Sequence, residues 1–359
     1  MDAASNLSCA DPEQLGSRYY LERPLGSGAM GQVFEAFDLS LSRKVAVKTL
    51  LPECKEEQWV QRFLQEARAA AQLEHPGIIP IHDLGYSADE RPYLAMRLVQ
   101  GETLGAVIQR LADGDEETHR QFSFSRRLQV IARVAEALQF AHDRGVLHRD
   151  VKPDNILLGT RDEVVLADWG LAGFSKPEEL GPAADPESRA TGLSADGQIV
   201  GTLGYVAPEQ LTGESAGDAH LDVYSLGATM YQLFTLRTPH SQQGTLSDVV
   251  GRILTEEVPP ADDFLHAHQG RVPRHIAMII EKATARDPAQ RYGSCLQIAA
   301  AIQDYLDGEA PAVCICTGTK SLLWRMLRLL DNHPHAFVVG GLLAVLIPVL
   351  ELILILMLW

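Results

Sequence analysis

The sequence predicts an α+β chain of two lobes, a small β-rich one followed by a larger α-helical one, with one transmembrane helix at the C-terminal end. Three observations carry this expectation. Short β-type runs surround a glycine-rich loop between residues 18 and 99, helical periodicity dominates from Gly101 to about Leu306, and an apolar stretch runs from Phe337 to Trp359. The 359 residues, 46% hydrophobic and 22% charged, have the composition of a globular protein with a sizeable core. A net charge of −16 argues against the broad basic surface that nucleic-acid binding needs, so no nucleic-acid partner is expected. The five cysteines are too scattered for a disulfide framework and no signal peptide opens the chain, which fits a reducing cytosolic setting. Cys314 and Cys316 alone are too few for a metal site.

In chain order, residues 1–17 are polar and read as a loosely ordered N-terminus. YYLERPLG and KVAVKTL (43–50 with its flank) read as strands on either side of GSGAMGQV, residues 26–33, whose glycines Gly26, Gly28 and Gly31 form a Gly-x-Gly-x-x-Gly pattern. A dinucleotide fingerprint would need a helix after that turn. Here strands follow, so the alternatives are a loop that lets backbone close over phosphates, or an ordinary glycine-rich hairpin. Lys48 lies on the same strand face as Ala46, beneath the loop, where a lysine can meet a phosphate; taken singly, a lysine is more often a solvated surface residue.

A helix is expected from Glu56 to Leu73. Its positions Trp59, Phe63, Glu66, Ala70 and Leu73 share one face, which puts a carboxylate on an apolar stripe. A buried Glu66 needs a cation, and Lys48 is the one best placed by element order; the alternative is a Glu66 at the stripe's wet edge. Further strand-like pieces at 78–85 and 92–99 complete the first lobe. SRRLQVIARVAEALQFAHDRG, residues 125–145, opens the helical part.

VLHRDVKPDNILL (146–158) and VVLADWGLA (164–172) place Asp150, Lys152, Asn155 and Asp168 between apolar segments. That set suits phosphoryl transfer, which calls for a base for the attacking hydroxyl, a cation for phosphoryl oxygens and oxygen ligands for Mg²⁺. With these residues the sequence resembles the protein kinases over about Tyr20 to Leu306, and in particular the bacterial eukaryotic-like serine/threonine protein kinases. The resemblance implies the two-lobed kinase fold, with a kinase domain over 18–307 divided into an N-lobe (18–99) and a C-lobe (100–307). It implies ATP as cofactor with Mg²⁺, or Mn²⁺ in its place, and Ser or Thr hydroxyls of proteins as acceptors.

By that resemblance Leu25, Gly26, Ser27, Gly28, Ala29, Met30, Gly31, Gln32 and Val33 cover ATP. Ala46, Met96, Leu98 and Val99 surround its adenine, and Lys48, paired to Glu66, holds its phosphates. Asp150 takes the hydroxyl proton, Lys152 steadies the γ-phosphoryl group, and Asn155 and Asp168 bind the metal. GTLGYVAPE (201–209) resembles the end of an activation segment, with Thr202 near Asp150 and Glu209 expected to pair with Arg291. Asp222 of DVYSLG is expected to brace the catalytic loop. Arg149 beside Asp150 resembles kinases switched on by a phosphate in that segment, for which Thr191 and Ser194, then Ser188, are the expected acceptors. Three departures stand out: Trp169 where Phe is usual, Leu203 where Pro is common, and Arg97 at a hinge position often held by Glu. No charged role is vacant. The readings set beside an active kinase are a catalytically weak, ATP-binding membrane scaffold and a small-molecule kinase of the same fold.

Residues 308–335 read as a linker and 336–359 as the transmembrane helix. Lys320, Arg325 and Arg328 precede the span and predict a cytoplasmic kinase domain on a membrane-anchored chain. Pro348 and Glu351 interrupt the apolar run, and a buried hairpin is the alternative to a span. The expected partners are protein substrates, the membrane and a second copy of the chain, which would phosphorylate the first in trans and could form a dimer with it.

Overall fold

The computed structural model describes residues 14–15, 17–28, 31–54, 56–169, 173–174, 203–212 and 218–308. The N-lobe holds strands β1 (Gln14–Leu15), β2 (Tyr19–Ser27), β3 (Gly31–Asp38), β4 (Arg43–Leu50), helix α1 (Glu57–Ala71), β5 (Ile81–Tyr86) and β6 (Pro92–Met96). The strands form one antiparallel sheet in the order β1-β2-β3-β4-β6-β5. Alternation along β4 sorts its side chains between two faces. Val45 and Val47 join Tyr19, Leu21, Ala36, Tyr93 and Ala95 in one cluster, while Ala46 belongs to the main core on the opposite face. Helix α1 buries Phe63, Glu66 and Ala70 as the stripe predicts, with Leu73 buried just past its end and Trp59 half-buried.

The C-lobe begins with β7 (Gly101–Thr103), α2 (Leu104–Ala112), α3 (Glu116–Gln121) and α4 (Phe124–His142). Next come β8 (Val146–Leu147), β9 (Ile156–Gly159), β10 (Val164–Leu166), β11 (Gly173–Phe174), α5 (Pro208–Thr212), α6 (His220–Thr235) and α7 (Leu246–Thr255). The strand pair β12 (Leu265–His266) and β13 (Gly270–Arg271) precedes α8 (Arg274–Ala283) and α9 (Cys295–Asp307). Helix α6 is buried almost all round, and its buried Asp222, Ser225, Thr229 and Thr235 are each satisfied by hydrogen bonds to backbone groups. Gly227 lets it approach α8, since a Cβ there would lie 2.7 Å from the Cβ of Ala283. The last helix ends on Gly308 at φ 87°, a left-handed cap that glycine adopts without steric cost.

The helical reading after Gly101 misses a three-stranded sheet, ordered β10-β9-β7. Its strands are three or four residues long, too short to show a period in sequence. This sheet positions the site. Leu166 at the end of β10 donates to Gly77 O (2.8 Å) and accepts from Ile79 N (3.0 Å), so the chain just before Asp168 is stitched to the segment following α1. Among the described residues no helix is long and apolar enough to cross a membrane; the expected span at 336–359 lies outside them.

Candidate active site

Strands β2 and β3 close the glycine loop. Gly26 pairs with Val33, Ser27 with Gln32, and Gly28 N donates to Gly31 O at 2.8 Å; Ala29 and Met30 lie outside the described residues. A Cβ on Gly31 would fall 2.8 Å from Thr49 O, so the fold itself demands glycine there. A Cβ on Gly26 would meet nothing within 4 Å, so packing does not require that glycine. Leu25 is exposed at the hairpin's edge. Beneath the loop Val33, Ala46, Met96, Leu98 and Val99 belong to one apolar surface continuous with the main core, Ala46 standing opposite Met96 in the β4–β6 register.

Lys48 and Glu66 meet as the two faces require. Lys48 Nζ lies 2.6 Å from Glu66 Oε1 and 2.7 Å from Asp168 Oδ1, so one ammonium joins β4, α1 and the residue after β10. Lys48 and Glu66 are both buried. Burial alone would discharge the ammonium, but the two carboxylates outweigh it and hold the Lys48 pKa above its ordinary value. Burial pushes the Glu66 carboxyl up to about 7 against the pull of Lys48. At Asp168 burial acts upward too, yet Lys48 by charge and hydrogen bond brings it down to about 2. Asp168 sits at φ 61°, a conformation uncommon for a non-glycine residue and often found at functional sites.

The second cluster is built on the loop after β8. Lys152 Nζ contacts Asp150 Oδ2 at 2.6 Å, and Asn155 Nδ2 donates to Asp150 O at 2.8 Å and to its Oδ2 at 3.2 Å. Ala167 N donates to Asn155 O at 2.8 Å, tying this loop to the segment carrying Asp168. From below, the fully buried Asp222 of α6 accepts from His148 N (2.8 Å), Arg149 N (2.7 Å) and His142 Nε2 (2.7 Å). Burial acts upward on the Asp222 carboxyl, and the His142 hydrogen bond leads the opposing contacts that keep it below the ordinary range. These bonds hold Arg149 at φ 64°, which fixes the direction in which Asp150 leaves the loop. Asp150 N donates to His148 Nδ1 (3.3 Å), which assigns the ring proton to Nε2 and makes it the donor to Ala167 O at 3.2 Å.

Each departure from the family pattern has a setting. Trp169 is fully buried with its ring 4.6 Å from that of His148, Arg97 pairs with Glu163 at 2.6 Å, and Leu203 opens a short 3₁₀ turn to Tyr205. Glu209 and Arg291 form a buried bidentate pair at 2.6 and 2.8 Å. Ser188, Thr191, Ser194 and Thr202 lie outside the described residues. The reading of the sequence did not single out His142 and His148. Their residue type signals nothing alone, and only the folded chain shows both on the scaffold of the loop that carries Asp150.

The protein kinase domain family matches residues 19–304. The chain belongs to that family. It is similar to the serine/threonine-protein kinase PknD of Protochlamydia amoebophila (strain UWE25), with 36% identity over 306 residues covering 83% of this chain and 31% of that protein. PknD of Chlamydia muridarum (strain MoPn / Nigg) is 35% identical over 306 residues, covering 82% and 32% respectively. The kinase domain therefore spans about a third of the length of these relatives. Among solved structures, the Mycobacterium tuberculosis PknI kinase domain superposes with a TM-score of 0.57 at 26% identity, covering 82% of this chain and 98% of that one.

Proposed function

We propose that this kinase domain transfers the γ-phosphoryl group of ATP to serine and threonine hydroxyls of proteins. The observation that carries the reading is the convergence of Lys48, Glu66 and Asp168 beside a loop that presents Asp150, Lys152 and Asn155. The donor set fits Mg²⁺. Asn155 spends its amide nitrogen on Asp150, leaving its side-chain oxygen as the atom for a ligand, and Asp168 adds a carboxylate held ionised. Two protein oxygens with substrate phosphates are a common Mg²⁺ arrangement, and magnesium in such a site neutralises charge developing on the phosphoryl oxygens.

The protein's own residues do the rest. Glu66 fixes the height of Lys48, whose ammonium is the cation for the phosphates. Asp150 accepts the proton of the incoming hydroxyl, and Lys152, already 2.6 Å from it, steadies the carboxylate's position and offers a cation toward the transferring group. Lys152 two places after Asp150, together with the named relatives, supports Ser and Thr as acceptors. The reading extends to a cytoplasmic kinase anchored through residues 336–359 and activated in trans at Thr191 and Ser194. The apolar run and its preceding Lys320, Arg325 and Arg328 support the anchor.

The test incubates the full chain in detergent with Mg-ATP and maps phosphate by mass spectrometry. Phosphoserine or phosphothreonine within 168–209 that appears faster per molecule at higher protein concentration is the expected result. ATP binding without phosphate on the chain or on an added protein substrate would favour a scaffold instead.

A further inference from the structure

Away from the active site, two segments far apart in sequence bring three imidazoles together. His119 lies on α3; His266 ends β12 and His268 follows in the turn to β13, giving the spacing His-Ala-His. Their ring centroids form a closed triangle with sides of 5.8, 5.4 and 5.9 Å. A tetrahedral ion bound at about 2.0–2.1 Å by three imidazole nitrogens sets the ring centres about 5 Å apart. The triangle is thus within about 1 Å of that arrangement on each side. His119 Nε2 donates to Leu111 O at 2.9 Å, which leaves its Nδ1 lone pair for a ligand and supplies the kind of backbone acceptor that commonly orients a metal-bound histidine. Gly114, at φ 81°, clears space for the third ring, since a Cβ there would lie 2.8 Å from His268 Nε2.

We propose that His119, His266 and His268 bind one first-row transition ion of the Zn²⁺, Co²⁺, Ni²⁺ or Cu²⁺ class. Neutral imidazole favours these over Mg²⁺, so the site is chemically separate from the one that serves phosphoryl transfer. No three donors already surround one point among the described residues, so the site closes by rotation of the exposed His268 and half-buried His266 onto the ion. The charged groups nearby are Arg127, Arg237 and Asp115. Two cations against one carboxylate weaken the site for a divalent ion. Bound metal would tie α3 to the turn whose Gln269 holds the buried Arg127 at 2.6 Å.

The test strips the full chain with chelator, removes Mg²⁺, and titrates Co²⁺ while recording visible absorption, alongside equilibrium dialysis with Zn²⁺. A triple variant, His119→Asn with His266→Asn and His268→Asn, is the reference, because Cys314, Cys316, His333 and His335 also carry metal-binding atoms. The expected result is one additional ion per chain in the wild type, an intense tetrahedral Co²⁺ band absent from the variant, and a rise in thermal midpoint on binding. His268→Asn alone weakens binding by at least about tenfold and leaves phosphotransfer from Mg-ATP, assayed with no transition ion added, unchanged. That exposed single substitution carries the test if the triple variant fails to fold. Equal stoichiometry and spectra for wild type and variants would overturn the proposal, leaving a stacked surface cluster.

Discussion

Two buried ion pairs in this kinase domain look alike in distance and differ in what they leave unused. Arg291 and Glu209 meet at 2.6 and 2.8 Å, and the guanidinium also donates to Ala285 O, Arg286 O and His220 O while stacking on the Tyr224 ring. All five of its donors are spent. Lys48 and Glu66 meet at 2.6 Å, but Lys48 divides its charge with Asp168, and Glu66 Oε2 is buried without a hydrogen-bond partner. A saturated pair suits a fixed strut. An unsaturated cluster suits a site whose contacts are exchanged when a phosphate arrives.

The sharpest way to break the comparison is to truncate each pair. Arg291→Ala leaves Glu209 buried and uncompensated, so it should cost ~3–5 kcal/mol of stability, read by urea unfolding, and lower activity mainly by unfolding the domain. Arg291→Lys should recover only part, because an ammonium cannot reproduce the planar fork. Glu66→Gln should do the reverse. With burial holding that carboxyl at about 7, a neutral amide should shift the thermal midpoint by only a few degrees. Activity should nevertheless fall by about tenfold or more, because Lys48 loses its anchor. If both truncations unfold the domain equally, the distinction between strut and working cluster fails.

A smaller effect sharpens the comparison through pH. Burial holds the His148 pKa below its ordinary value, so the folded state keeps this ring neutral. Since the unfolded chain takes the proton first, stability from His148 is complete above about pH 6.5 and is lost as pH falls below it. His148→Gln should therefore show a shallower decline of thermal midpoint between about pH 6.5 and 5 than the wild type. An identical slope would place the acid sensitivity in other buried histidines such as His240.

How much of this was legible in the sequence depends on whether a signal was local. The alternation in β4 and the stripe in α1 run long enough to place Lys48 beneath the glycine loop and Glu66 on an apolar face, but their pairing became legible only with the motifs at 146–172. Asp150, Lys152, Asn155 and Asp168 are visible as a compact polar set between apolar runs. The strands β7, β9 and β10, which aim Asp168 at Lys48, are too short to announce themselves. Long-range pairings were equally hidden. Nothing near Arg97 names Glu163, nothing near Trp169 names its tilted ring contact with His148, and the triangle of His119, His266 and His268 joins segments that no spacing connects.

The most direct measurement of the central claim is a paired assay of Asp150→Asn: phosphate transferred from Mg-ATP to protein, and ATP affinity measured separately without turnover. Asp150 contacts Lys152 and Asn155 and takes no part in the Lys48–Glu66–Asp168 cluster, so the substitution removes the proposed proton acceptor and leaves the contacts of that cluster in place. The account predicts a fall in transfer of about 10²–10⁴-fold with ATP affinity changed by less than about threefold. Transfer at the wild-type rate, or a loss of ATP binding equal to the loss of transfer, would contradict it.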